Sequence, residues 1–471
     1  MTTTAYPASD TRRRSTRRVV AGFTVASIVV FSVLASAVGA QATEYPSIPT
    51  NTVKGPSTTL TGQLGPAMLT LDAAGGTYVS VLEGGNILIF APGATGDAAP
   101  VNVITGGTNL VGMARDSAGN IYVSDFGVGG IGNGGAIRVY APDATGAATP
   151  LQTIEGPNTG LSGVLGIAVS PVGEIYVSNV VTSVVTVYAA GATGDVAPIR
   201  AISGPDTGLG QPGGIALDLA GNLYVSNNAV ASITVYAPGA DGNTVPLRTI
   251  VGPNTGRVPL GGITVDAAGA IYAANGGDDS VTVYAPGADG DATPTNRISG
   301  PDSGLTYPIG IAVDAAGTIH VGNLLGNSIL EFAPVPTVTG VSPATGPAAG
   351  GGTISVTGTG FITGATVLIG GTPAADVVVV SATEITATIP AHDPGPVDVS
   401  VTTVGGTVVA AGVFTFLAAP VVTPVVPVVP AATTITMLPA TGVSPGAAGL
   451  AALLLVVGGA LTLALTRRRT T

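Results

Sequence analysis

The chain has 471 residues, 26 acidic against 15 basic for a formal net charge of −11, and neither cysteine nor tryptophan. The length allows two or three domains, and the missing cysteine excludes a disulfide framework, a thiol nucleophile and a thiolate metal site. Eight basic residues stand at the two ends, so the segment from 43 to 441 holds seven against 25 acids (7 − 25 = −18), a balance that repels phosphate backbones and argues against nucleic acid as a partner.

In chain order, residues 1–42 read as a secretory signal. A basic stretch (Arg12, Arg13, Arg14, Arg17, Arg18) precedes an apolar run over 19–40, and Ala40-Gln41-Ala42 fits a small-x-small cleavage site. The mature chain is expected to begin at Thr43 or within a residue or two of it. An uncleaved anchor is the alternative reading of so long a run. Thr16-Arg17-Arg18 resembles a twin-arginine signal without the usual following Phe-Leu, which leaves the export route open.

Residues 49–334 repeat. A Tyr-Ala-Pro-like corner falls at Phe90, Tyr140, Tyr188, Tyr236, Tyr284 and Phe332, with spacings of 50, 48, 48, 48 and 48. A second marker falls at Tyr78, Tyr122, Tyr176, Tyr224, Tyr272 and His320, with spacings of 44, 54, 48, 48 and 48. A period of this length marks a solenoid, a propeller or an array. Each unit reads as four short strands; in one of them these are 215–218, 223–226, 233–236 and 247–250, with turns at 219–222 and 239–242. Four antiparallel strands repeated about an axis make a β-propeller blade. The glycine pairs Gly213-Gly214 and Gly261-Gly262 suit the crowding there.

The last unit stops at Phe332-Ala333-Pro334, one strand short, whereas residues 49–56 align with 150–157. The early strand is therefore expected to complete a sixth blade and close the ring, removing exposed sheet edges. The 286 residues from 49 to 334 are close to six times 48. Segments 310–319 (GIAVDAAGTI) and 222–227 (NLYVSN) resemble NHL-type propellers, a resemblance that implies fold and not activity.

One blade departs from the period. Second-strand aromatic to third-strand aromatic takes 12 residues in five blades and 18 in the second, from Tyr122 to Tyr140. Phe126 and Ile131, an apolar pair among glycines, are candidate contact residues there; neutral drift is the alternative. The same face is expected to carry the GPNTG-like loops with Asn158, Asp206, Asn254 and Asp302. It also carries Asp125, Asn179, Asn227, Asn275 and Asn323 at the ends of second strands.

Residues 336–361 (PTVTGVSPATGPAAGGGTISVTGTGF), then 365–371, 384–390, 397–401 and 413–416, are short strands between Gly/Pro turns. They resemble an IPT/TIG domain, an immunoglobulin-like β-sandwich over 335–417 without a single Lys or Arg. Residues 418–437, rich in Pro-Val, read as a semi-rigid spacer reaching ~60 Å if extended. Leu438, Pro439, Ala440, Thr441 and Gly442 follow, then an uncharged run over 447–466 and Arg467, Arg468 and Arg469. At ~1.5 Å per residue that run spans a bilayer core. Pentapeptide, apolar span and basic tail over 438–471 resemble the sortase cell-wall sorting signal of Gram-positive bacteria. The resemblance implies cleavage between Thr441 and Gly442 and covalent attachment of Thr441 to peptidoglycan.

Together these readings give an all-β chain with a six-bladed propeller and an Ig-like sandwich between helical signal and membrane segments. The expected role is a sortase-anchored surface protein, secreted and wall-attached. Its propeller binds an extracellular ligand or protein, without cofactor or metal. Two rivals stand: a metal-dependent lyase or lactonase, and a ligand-free wall spacer. For an enzyme, His320 is the only propeller histidine, and it occupies a tyrosine position. The asparagine oxygens near second-strand ends are the candidate metal ligands, against a reading as turn residues. Asp278-Asp279 and Asp289-Gly290-Asp291 suggest calcium, but the second recurs at a hairpin position as Gly96-Asp97, Gly194-Asp195 and Gly242-Asn243 and reads as a turn. Nine of twelve tyrosines occupy repeat positions and Tyr6 lies in the signal; Tyr45 and Tyr307 remain, few aromatic faces for a sugar-binding surface.

Overall fold

The computed structural model of the chain describes residues 43–60, 65–127, 134–257 and 261–420. The signal (1–42), Ile131, the spacer beyond 420, the pentapeptide Leu438 to Gly442 and the 447–466 run lie outside the described residues. Among the described residues every element is a strand or a three-residue 3-10 turn, and no helix is long and apolar enough to cross a membrane.

Between Asn51 and Phe332 the described strands form six four-stranded antiparallel sheets, here I to VI in the order of their innermost strands, Pro66–Leu71, Leu110–Arg115, Val164–Val169, Pro212–Leu217, Ile263–Val265 and Pro308–Val313. Sheet IV shows the pattern with Pro212–Leu217 innermost, then Leu223–Asn227, Ser232–Tyr236 and Arg248–Ile250 outermost. Second and third strands are buried on both faces, so their apolar runs are nearly continuous. The turn into the second strand is closed by Asp218, whose Oδ1 accepts the N–H groups of Ala220 (3.0 Å) and Asn222 (2.8 Å). The corner tyrosines are fully buried. The hydroxyls of Tyr188, Tyr236 and Tyr284 donate to the carbonyls of Thr159, Thr207 and Thr255, each at 2.6 Å, clamping the loop that enters the sheet.

The innermost strand of sheet IV begins three residues before the expected 215, because Gly213 and Gly214 belong to the strand. Pro212 opposes Asn227 and Ile215 opposes Val225, with an irregularity between. The innermost strands touch in a closed cycle. Crowding at this axis removes side chains: a Cβ on Gly112 would lie 2.1 Å from the Leu165 carbonyl, one on Gly166 2.5 Å from that of Gly213, and one on Gly310 2.4 Å from that of Ala67. In sheet I the same position is Met68, and its sulfur reaches to 3.2 Å from where a Gly262 Cβ would stand, so one flexible side chain fills the hub.

Neighbouring sheets are also joined at the rim. The connection between third and outer strands reaches back to the preceding sheet's outer strand, pairing Gly96 with Val53, Gly146 with Ile104, Gly194 with Ile154, Gly242 with Ile202 and Gly290 with Ile250. Sheet VI is completed from both ends of the ring: Asn51–Val53 pairs with Ser328–Phe332, Thr52 opposite Leu330. The chain leaves sheet VI after Phe332, so the seam with sheet V has no such connection. Tyr45 fills it, buried among Ile298, Leu305 and Tyr272, with its hydroxyl donating to the Gly317 carbonyl at 2.8 Å.

The following residues form two packed sheets. One orders Thr337–Ser342, Thr353–Thr359, Glu384–Thr388 and Ala375–Ser381; the other is built on Gly395–Thr403 and Gly406–Leu417. Their inner faces bury Ile354, Val356, Phe361, Ile385, Phe414 and Phe416. Ala375–Ser381 is a strand absent from the sequence reading. Its Val377 and Val379 are half-buried against the core and its Val378 and Val380 exposed, so the alternation is present but four valines in a row hide it from the sequence.

Candidate functional site

The strand order defines two ends of the ring. At one, each innermost strand begins beside the second-to-third hairpins and the loops entering the sheets; at the other stand the first-to-second turns. The entry end opens on the axis in a cavity of about 150 Å³. Met68, Val111, Leu165 and Ile309 supply apolar walls, and Gly213 and Gly261 leave the wall between sheets IV and V bare. Tyr307 and Asn228 are the polar side chains of the lining. Deeper along the axis the hub narrows to about 40 Å³ between Met68, Met113 and Ile311. A mouth of this size and polarity holds a small apolar group and gives it few polar contacts.

The expected face residues divide into three groups. Asn158, Asp206, Asn254 and Asp302 are exposed, but they sit on the outer rim in the entry loops, apart from the mouth lining. Three of them join neighbouring sheets: the Asn158 and Asn254 amides donate to Asp195 and Asp291 at 2.7 Å, and Asn243 donates to Asp206 at 2.6 Å. The aspartates of the Gly-Asp hairpins are thus inter-sheet brackets; Asp289 likewise accepts the Thr249 N–H at 2.8 Å. Asp278 pairs with Arg297. Among the described residues no group of three or more His, Cys, Asp or Glu side chains is arranged to hold a metal ion.

Asp125, Asn179, Asn227, Asn275 and Asn323 do not belong to a binding surface. All are at most 1% exposed, and all are used internally. The Asn227 Oδ1 accepts the Gly210 N–H at 3.1 Å while its amide donates to Thr234 at 3.0 Å; Asn179 does the same with Ser162 and Thr186. Each staples the entry loop to its hairpin, so neither the metal-ligand nor the turn reading holds. Sheet II changes both partners: Asp125 replaces the asparagine and Arg138 the threonine, joined at 3.1 Å. Burial opposes ionisation of Asp125, yet the N–H groups of Asn109, Gly127 and Thr108 and the Arg138 guanidinium outweigh it and hold its carboxyl below the usual range. Phe126 is also not a surface contact. It is 9% exposed and belongs to the apolar cluster between sheets II and III that includes Val111 and Leu161.

His320 lies at the opposite end from the mouth. Tyr122, Tyr224 and Tyr272, at the corresponding position, donate to Asp116, Asp218 and Asp266 at 3.1, 3.2 and 3.0 Å. The His320 ring instead stands between Asp314 (3.7 Å) and Glu331 (3.5 Å), at ion-pair distance and without hydrogen-bond geometry. Burial works against its protonation, but the Asp314 and Glu331 carboxylates prevail and raise it to about 9. Its place at the end of the ring away from the mouth keeps it out of reach of anything bound there.

Sequence reasoning missed the mouth. In five of the six repeats the position that lines it is the residue before the hub glycine, Val111, Leu165, Gly213, Gly261 and Ile309, and in sheet I Met68 takes part instead. Its variation across the repeats was visible as a column of unlike residues in otherwise like segments. Tyr307, set aside as outside the repeat, is in the lining, held at φ 53° with its N–H donating to Asp279 at 2.7 Å.

Residues 336–416 match the family model of the IPT/TIG domain. The search of curated proteins found no match. Among solved structures the chain is similar to a streptogramin B lyase (14% identity, 57% of this chain and 78% of that one, TM-score 0.39). It is also similar to the WD40 β-propeller domain of Doa1 (15%, 60% and 96%, TM-score 0.41). A third is a catalytically inactive virginiamycin B lyase from Staphylococcus aureus with quinupristin (14%, 69% and 95%, TM-score 0.41).

Proposed function

We propose that this chain is a binding protein of the cell exterior: a six-bladed, NHL-like propeller that takes a ligand at its axial mouth, carried on an IPT/TIG sandwich and fixed to the wall through Thr441. The observation that carries the binding reading is the mouth, an apolar opening at the end where all six entry loops gather. Among the described residues its lining presents side chains suited to holding a molecule and no acid–base or nucleophile–base pair. The anchoring part rests on the order of pentapeptide, apolar run and arginines, and sortase and peptidoglycan enter as partners on that ground alone.

A screen of the purified full chain against small molecules, glycans and extracellular proteins tests the first part, with Leu165→Glu as control. A ligand of the mouth should lose at least tenfold in affinity when a carboxylate is placed in the apolar wall. A ligand bound equally by both proteins lies elsewhere and removes the mouth from the reading. For the second part, wall digests should yield the chain ending at Thr441, and chains lacking 438–442 should leave the wall fraction. Retention of such chains in that fraction would end the sortase reading.

A further inference from the structure

The mouth is lopsided, and its bare side conceals a charge. After the GPNTG-like loops comes a leucine, Leu161 and Leu305 buried and Leu209 half-buried; between sheets IV and V that residue is Arg257. It is 8% exposed, and no carboxylate lies within ion-pair distance among the described residues, whereas Arg138, Arg200 and Arg297 each have one. Its guanidinium is met by neutral oxygens only: Nη1 donates to the Asn275 Oδ1 (3.0 Å) and the Ala274 carbonyl (3.4 Å), Nη2 to the Ser226 Oγ (2.8 Å), and Nε is buried without a partner. Asp278, itself paired with Arg297, acts on it only at longer range, and a buried cation without a contacting counterion is costly and rare.

Its position is fixed by the repeat. In sheets I to III the serine corresponding to Ser226 donates to a carbonyl of the next sheet's mouth-lining residue: Ser80 to Val111 (2.7 Å), Ser124 to Leu165 (2.6 Å), Ser178 to Gly213 (2.6 Å). The matching carbonyl for Ser226 belongs to Gly261, and there Arg257 takes the serine instead. The guanidinium therefore sits behind the mouth wall beside Gly261: it is not itself among the lining residues, and the wall residues in front of it, Gly213 and Gly261, carry no side chain. Across the opening stand Val111, Leu165 and Ile309.

We propose that the mouth binds a small anionic amphiphile, its apolar body against Val111, Leu165 and Ile309 and its carboxylate toward Arg257. This rests on the reading of the mouth as a binding site and adds the ligand's charge. Anion and guanidinium then neutralise each other away from bulk water, where a charge-assisted contact is strongest.

Octanoate is the probe, with octan-1-ol as its uncharged match, each titrated calorimetrically into the purified full chain. Octanoate should bind at least about tenfold more tightly than octanol, the gain of one hydrogen-bonded charge. Arg257→Leu, which installs the residue of the other entry loops, should bring octanoate down to octanol's affinity and leave octanol unchanged; Arg257→Lys should restore part of the preference. Equal binding of both probes by the natural chain overturns the anion proposal and leaves the mouth reading standing. A preference that survives in a folded Arg257→Leu protein overturns Arg257's role. Binding of neither probe overturns the anionic-amphiphile proposal, while the mouth reading stands or falls on the broader screen with Leu165→Glu.

Discussion

Sheets IV and VI share one backbone plan and differ in how they are finished. Sheet IV is a continuous stretch from Pro212 to Ile250, while sheet VI takes its outer strand from the other end of the ring, Asn51 opposite Glu331. In sheet IV the position before the corner aromatic is Val235 and the second-strand aromatic is Tyr224. In sheet VI these are Glu331 and His320, and Glu331 also accepts the Asn51 amide at 3.0 Å. The lesson is one of specificity. A hairpin pairs with its neighbour because the chain leaves it little choice, but a strand closing a loop of nearly three hundred residues has to be selected, and charged or hydrogen-bonded groups select better than apolar ones. Tyr45 shows the same need at the rim, with a large side chain in place of a missing backbone bridge.

This contrast is open to attack at three points. The largest effect is expected from Tyr45→Ala, which empties the sheet V–VI seam; unfolding by denaturant should show a loss of about 3 kcal/mol, whereas a loss below about 1 kcal/mol would make Tyr45 a bystander. Next comes the His320–Glu331 pair. Glu331→Val alone should cost about 2 kcal/mol by leaving His320 with Asp314 only, and adding His320→Tyr, which recreates the sheet IV pair, should return most of it. Additive losses in the double variant would show that the two residues act independently.

The smallest effect is on pH. The raised value of His320 means that its contribution to stability is complete below its unfolded value near 6.5 and disappears as pH rises through about 9. The thermal midpoint should fall by a few degrees between pH 6.5 and 9.5 in the natural chain and much less in the double variant, as read by circular dichroism. Parallel curves for the two proteins would remove His320 as the cause.

The sequence by itself determined the architecture. Alternating strands, a 48-residue period, turn residues such as Gly221 and Asn222, and the surplus strand near residue 51 are local features, and a repeat reports each of them several times. The motif of the second domain was legible for the same reason, except for Ala375–Ser381, whose four valines in a row hide its period. Only the tertiary structure decided what the polar residues do. Asn179 and Asn227 looked like surface groups because a strand end is exposed in isolation. They are buried because the entry loop, 17 residues earlier in the chain, folds over them. Arg257 and Tyr307 give no sign of the axis in one dimension, since nearness to it depends on six strands far apart in sequence converging on one line, and a side chain's chemistry is set by what converges on it.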